Sequence, residues 1–226
     1  MQYMIGMDIG TTSTKAVLYD QNGQIYAQAN EGYELYRDAT GMAEEDPAEI
    51  LTAVITTLAT VVRTIDFKQN ELKGISFSSA NQSLLVLDQN HQPLTRLLTW
   101  ADTRAAKHAE QIKNSPRGQA LYEKTGTPHH PMTLLAKISW LKANKPALYA
   151  KAAYYCGIKE YILYQLCGTW QMDISIASCT GLFNIFTQKW DPEALELAGV
   201  NVKQLPPVVD AYAQFSGLKP EYVQQT

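Results

Sequence analysis

MDIGTTSTKAVLYDQNG, residues 7–23, sets four hydroxyl side chains in a row, Thr11 to Thr14, between Gly10 and Lys15. Residues 3–9 before it and 15–19 after it read as strands, and a third run, 24–29, follows the turn Asp20-Gln21-Asn22-Gly23. The segment therefore predicts a three-stranded antiparallel meander. Its first connection is the unusual one, because the strand ends in Asp8 and the tip offers backbone amides, hydroxyls and an ammonium together. Two uses fit such a tip. In the first it is a phosphate cradle: successive amides in a tight turn form an anion-binding concavity, glycine lets the main chain approach a ligand, and hydroxyls donate without burying charge. Asp8 would then stand beside the phosphates and hold Mg²⁺ through water, since that ion prefers oxygen ligands and keeps several waters. In the second the tip is a polar hairpin whose β-branched residues suit strands. The spacing is neither Walker A nor the Rossmann fingerprint, and it lacks the strand-then-helix setting of both.

Outward from the meander, Asp46-Pro47-Ala48-Glu49 places an N-cap acid, a first-turn proline and a capping-box glutamate where a helix begins. Ile50, Leu51, Val54, Leu58, Val61, Val62 and Ile65 then recur at spacings of three and four, an apolar stripe that predicts packing against a sheet. Residues 74–79 predict a further strand and 84–87 a second extended run, with a turn at 88–93. Strand, helix, strand order gives an α/β class. Past residue 100 the pattern is helical, over 103–113, 134–142, 158–166 and 192–198, the last behind the cap Asp191. No repeat, low-complexity tract or dividing linker interrupts the chain, and GLKPEYVQQT (217–226) completes no element that the pattern identifies.

With 226 residues, 46% of them hydrophobic, the chain has apolar material for one large domain or two small ones. A net charge of −3 argues against nucleic acid as a partner. Cys156, Cys167 and Cys179 are odd in number and far apart, which suits buried free thiols in a reducing compartment. No apolar run approaches the ~18 residues of a membrane span, and the N-terminus lacks a basic leader. The expected location is cytoplasmic, with no membrane partner.

MDIGTTSTKAVLYDQNG resembles the first phosphate motif of the FGGY carbohydrate kinases. Further matches follow in that family's order: SSANQSLLVLD (78–88), LTWADTRAA (98–106), TGTPHHPMTLLAKISWL (125–141), GIKEYILYQLCGT (157–169) and DISIASCTGLFNIFTQKWD (173–191). The segment Thr127-Pro128-His129-His130-Pro131-Met132 is most similar to the gluconate kinases within the family. The resemblance implies an RNase H-like α/β domain of the actin, hexokinase and Hsp70 type, with a mixed five-stranded sheet flanked by helices and a helical substrate region after about residue 100. It implies phosphoryl transfer from ATP, with Mg²⁺, to a hydroxyl of a sugar, polyol or sugar acid. Gluconate is the preferred acceptor, and xylulose, another pentulose or glycerol are the alternatives. Carried over, Asp8 is the Mg²⁺-side carboxylate, Gly10, Thr11, Thr12, Ser13 and Thr14 hold phosphates, and Lys15 lies near them. Asn81 and Gln82 recognise substrate, Trp100 walls its pocket, and His130 and Met132 line it.

Asp102 and Arg104 complete the W-x-D-x-R motif. Asp102 is expected to cap the following helix, and Arg104 either to meet a substrate carboxylate or to pair with an acid of the fold. Two adjacent histidines, His129 and His130, cannot readily face one metal ion. Lys159, Glu160 and Tyr161 either border the cleft or lie on a solvated helix face. The resemblance covers residues 1–226 as the N-terminal domain alone. The family's general-base aspartate and its adenosine-binding domain are expected beyond Thr226, and the fragment alone is expected to be inactive. A homodimer of the full-length enzyme is a further candidate assembly. The reading from another class is an actin- or Hsp70-like nucleotide-regulated binding module. A nuclease of the same fold would want several carboxylates converging on two metals, and only Asp8 is so placed.

Overall fold

The computed structural model describes residues 1–225. Along Gln2–Ile9 (β1), Tyr3, Ile5, Met7 and Ile9 alternate with more exposed residues, so every second side chain enters the core. A tight connection leads into Ser13–Asp20 (β2), antiparallel to β1 from Tyr3↔Asp20 to Ile9↔Thr14. Ile25–Gly32 (β3) pairs antiparallel with β2, which completes the expected meander. Tyr36–Arg37 (β4) and Ala43–Glu45 (β5) form a small ladder beside it. Asp46 caps Pro47–Val62 (α1) by accepting the Ala48 amide at 2.8 Å. The other half of the expected capping box does not form, because the Glu49 carboxylate takes the Tyr36 hydroxyl instead, at 3.1 Å. Ile50, Val54, Leu58 and Val61 lay the apolar face of α1 against β2 and β3. Glu71–Ser79 (β6) runs parallel to β1, so the sheet is mixed with strand order β3-β2-β1-β6.

That sheet has four strands, not the expected five. Leu85–Leu87 (β7) leaves it; Leu97–Leu98 (β8) pairs with β5, and β7 pairs antiparallel with Tyr154–Cys156 (β9). Two local features explain the departure. Gln82 adopts φ 58°, turning the chain after β6. The run Leu84 to Leu87 has no polar face, and all four side chains are fully buried. Leu84 and Val86 join the core of the helical region, whereas Leu85 and Leu87 join the core under the sheet. One strand thus lies between two cores, as a run buried on both faces must.

The helical region comprises Ala106–Lys113 (α2), Gly118–Thr125 (α3), Leu134–Asn144 (α4), Pro146–Lys151 (α5), Ile158–Cys167 (α6), Ile174–Ser178 (α7) and Pro192–Ala198 (α8). Two-residue ladders brace it: Met172–Asp173 (β10) beside Val208–Val209 (β13), and Phe183–Asn184 (β11) beside Lys189–Trp190 (β12). The pattern did not predict α3, α5 and α7; α5 and α7 are too short to show a period, and α3 has no side-chain cap to mark its start. The stretch 217–226, expected to form no element, contains a last helical turn, Pro220–Val223 (α9), with Leu218 and Tyr222 packed on the sheet core. Among the described residues no helix is long and apolar enough to cross a membrane. The three cysteines are free, and burial pushes the Cys156 thiol well up.

Because β7 serves two cores, Leu85→Ala should cost about 2–5 kcal/mol of stability. Urea denaturation followed by circular dichroism checks this, and both cores should melt in one transition.

Candidate phosphate and substrate site

The hairpin between β1 and β2 closes through the Gly10 amide, which donates to Ser13 O at 3.0 Å. A Cβ on residue 10 would sit 3.1 Å from that oxygen, so the closure favours glycine. Tyr33, the residue after β3, holds the loop from behind. Its amide donates to Thr12 O at 3.2 Å and its hydroxyl to Gly10 O at 2.5 Å. In a trans peptide the C=O and N–H point in opposite directions. With both carbonyls turned to Tyr33, the amides of Thr11 and Ser13 face away from it, and no acceptor among the described residues takes the Thr11 amide. Two of the tip's carbonyls are thus taken by Tyr33, and the amides of the same peptide planes are turned to the other side.

Side chains sort by strand parity. Asp8 and Lys15 are direct cross-strand partners on the solvent side, and Asp8 also stands opposite Ser78 of β6. These three line one shallow depression with Ser76. Thr11 and Ser13 are half-buried and Thr12 is exposed. Thr14 does not join them. It pairs with the buried Ile9, so it points inward, is 0% exposed, and sends its hydroxyl toward the Tyr33 oxygen at 3.5 Å. The expectation that Thr14 supplies a phosphate donor is corrected on that ground. Among the described residues no three His, Cys, Asp or Glu side chains cluster as a metal site. Asp8 is a single accessible carboxylate, which fits an ion that draws its other ligands from water and bound phosphate.

The W-x-D-x-R segment follows β8. Thr99 anchors it by donating its amide and hydroxyl to Ala43 O, at 3.0 and 2.9 Å. Asp102 is buried, with its carboxylate accepting the Ala43 amide at 3.2 Å, the Arg104 amide at 3.0 Å and the Arg104 guanidinium at 2.6 Å. Arg104 also pairs with Glu44 at 2.5 Å and lies 4.6 Å above the Trp140 ring. The expected capping of a helix by Asp102 is corrected: α2 begins at Ala106, its cap is Ala105, and no side chain caps it. Of the two roles open to Arg104, pairing with acids of the fold is the one formed. This buried knot carries Trp100 outward, and its indole Nε1 donates to Thr11 Oγ1 at 2.8 Å. The predicted aromatic wall and the predicted phosphate tip are thus in contact.

A second group gathers around Lys137 of α4, which the sequence reading missed. Its ammonium is fully buried and donates to Gln82 O at 2.5 Å and Met132 O at 2.9 Å. Burial pushes its pKa down to about 7, against a raising effect from Asp102. The available signal was a lysine inside an otherwise buried run, Leu134 to Ile138. Asn81 and Gln82 reach Cys179 through long contacts, to its Sγ at 3.5 Å and its O at 3.4 Å. His130 is exposed, and its Nδ1 accepts the Met132 amide at 3.3 Å. His129 turns elsewhere, its Nε2 lying 2.8 Å from Gly118 O. Of the two readings open for Lys159, Glu160 and Tyr161, the solvated helix face is not what forms, since Glu160 and Tyr161 are buried. Lys159 pairs with Asp173, while Glu160 is buried and accepts the Gly157 amide at 2.9 Å.

Two substitutions test this geometry. Tyr33→Phe keeps the ring and the main-chain bond but leaves Gly10 O unpaired. It should lower stability by about 1–3 kcal/mol in denaturant melts, and the Thr11 and Ser13 amide NMR signals should shift more than those of β1. Lys137→Met isolates a titration. The folded pKa near 7 lies below the unfolded value of 10.5, so the unfolded chain holds the extra proton between them. Wild-type stability should therefore rise with pH across that window, by up to about 1.4 kcal/mol per unit, and Lys137→Met should flatten the rise.

Residues 3–226 match the family model described as the FGGY family of carbohydrate kinases, N-terminal domain. A gluconokinase of Bacillus subtilis (strain 168) is 42% identical over 219 residues, covering 97% of this chain and 42% of that protein. The crystal structure of gluconate kinase from Lactobacillus acidophilus superposes with a TM-score of 0.94 at 39% identity, over 99% of this chain and 45% of that one. A ligand-bound xylulose kinase structure from Lactobacillus acidophilus gives 0.95 at 39%, over 100% and 45%. The chain spans less than half the length of these relatives. Its fold is theirs, and the chain belongs to the FGGY family of carbohydrate kinases, as an N-terminal domain.

Proposed function

We propose that residues 1–226 form the phosphate- and substrate-binding half of an ATP-dependent kinase that phosphorylates gluconate. The observation that carries this reading is the tip of the first hairpin. Its outward amides and hydroxyls lie beside Asp8 and touch the aromatic residue of the substrate motif. A phosphoryl group in transfer spreads negative charge over its equatorial oxygens, so fixed donors at that place stabilise it. Lys15 adds a positive charge directly across from Asp8. Mg²⁺, when bound, would neutralise part of the phosphate charge, with Asp8 as its protein-side carboxylate.

On the substrate side, Asn81, Gln82, His130 and Met132 supply the polar and apolar contacts for a polyhydroxy acid, with Trp100 as the wall. Asp102 and Arg104 act behind them by fixing Trp100. The gluconokinase at 42% identity supports gluconate as acceptor. Xylulose is the second reading, because the xylulose kinase structure is as similar as the gluconate kinase one. Dependence on ATP supports a cytoplasmic site of action. We assign the general base to a segment outside residues 1–226. The two acids that tempt as substitutes are already engaged, Asp102 by Arg104 and the Ala43 amide, and Asp173 by Lys159 and the start of α7.

The test has two arms. The complete gene product should consume ATP with gluconate at higher kcat/KM than with xylulose or glycerol. Absence of turnover with every acceptor would refute the kinase reading, and a preference for xylulose would move the substrate. Residues 1–226 alone should give no phosphorylated product; turnover by this chain would refute the external base.

A further inference from the structure

We infer that the hydrogen bond from Trp100 Nε1 to Thr11 Oγ1 couples acceptor binding to nucleotide binding, so that each ligand tightens the other. This rests on the function proposed above and goes beyond it, since neither residue's place in its own subsite requires the two to communicate.

The bond joins residues 89 positions apart, one on the phosphate tip and one in the substrate motif. Trp100 is 50% exposed, and its ring carries one polar atom, a donor only. That donor is committed to Thr11. Behind the ring, Thr99, Asp102 and Arg104 lock the main chain through buried bonds, so the orientation of the half-exposed indole rests on its own torsions and on the one bond to Thr11. Thr11 needs the bond as much as Trp100 does. A threonine hydroxyl has one proton and two lone pairs, and accepting the indole N–H fixes one lone pair. The O–H is then restricted to the remaining directions and becomes an oriented donor at the tip, beside the unpartnered Thr11 amide.

The coupling follows from ordering. An acceptor packed on the indole face restrains the ring in the position where Nε1 meets Thr11. The hydroxyl is then already aimed when phosphate oxygens arrive, and the nucleotide meets less disorder to remove. The reverse holds by linkage: a phosphate that fixes the Thr11 hydroxyl holds the indole in place for the acceptor. One neutral hydrogen bond sets the scale, a mutual enhancement of about three- to tenfold. Such a device would also leave the phosphate tip less ordered when no acceptor is present.

The experiment is calorimetry on the complete gene product, using ADP with magnesium and gluconate as probes, each titrated with and without a saturating amount of the other. Wild type should bind ADP about three- to tenfold more tightly with gluconate present. Trp100→Phe keeps an aromatic wall and removes the donor; Thr11→Val keeps the shape and removes the acceptor. Each should bring the enhancement close to one, the pair together should do no more than either alone, and Thr11→Ser should retain it. A role confined to walling the substrate predicts instead that Trp100→Phe weakens gluconate but leaves the enhancement unchanged, and that outcome overturns the inference. So does a wild type that binds both probes independently, with the proposed function intact. A wild type that binds neither probe overturns the function and the coupling together.

Discussion

A hairpin tip can offer its amides to an anion only if something else takes its carbonyls. Tyr33 is that something. By holding Gly10 O with its hydroxyl and Thr12 O with its amide, it decides which way two peptide planes face. The hydroxyl must stay protonated to donate, and it does. Burial first, with the charges of Glu45 and Asp8 nearby, pushes the Tyr33 pKa up to about 12. Its position follows from the ladder between β2 and β3, whose register sets Ser13 opposite Gly32. A slip of one residue would turn Lys15 inward and Thr14 outward, burying a charge in the core under the sheet. The donor array is therefore a property of sheet register as much as of the loop.

The W-x-D-x-R knot answers a different need. Burying Asp102 with Arg104 removes both charges from water, and such pairs seldom add stability over apolar packing. What the knot supplies is placement. The Asp102 carboxylate grips β5 through the Ala43 amide while Arg104 reaches Glu44 of the same strand and covers Trp140 of α4. Strand, turn and helix are fixed relative to one another around a turn that carries Trp100. An indole on a flexible loop would lose its position to thermal motion; the main chain beneath Trp100 is tied on both sides.

Legibility in the sequence followed the range of the interactions. The meander and α1 were readable because alternation, turn residues and the Asp46 cap act within a few residues. The inward turn of Thr14 was readable too, since a residue opposite Ile9 shares its buried face, but four hydroxyls in a row invited a single role for all. The run Leu84 to Leu87 misled for a physical reason: a strand buried on both faces shows no alternation, so nothing local says which sheet it joins. The family resemblance gave the order of the motifs and the class of fold, and the match over residues 3–226 agrees with it. It could not give Tyr33 or Lys137, because the Gly10 and Gln82 carbonyls they hold lie 23 and 55 residues away. Nor could it say that Asp102 grips a strand, because the amide it holds is 59 residues away.

Lys137 shows why a fold would keep a charge where an apolar side chain would pack better. Gln82, in a left-handed conformation, and Met132, just before the Thr133 cap of α4, both turn a carbonyl into the interior. Neither carbonyl lies in a sheet or helix ladder, and an unpaired one buried there would be costly. A single long side chain with several donors satisfies both from one point. It thereby ties the segment at Gln82 to the segment at Met132. The depressed pKa is the visible consequence of that choice, because the amine sits where water cannot solvate its charge. Even as a neutral amine it keeps two N–H donors, enough for both carbonyls, so the tie persists on either side of its titration. What the pH changes is the cost of holding the two segments together, and the segments themselves stay in register.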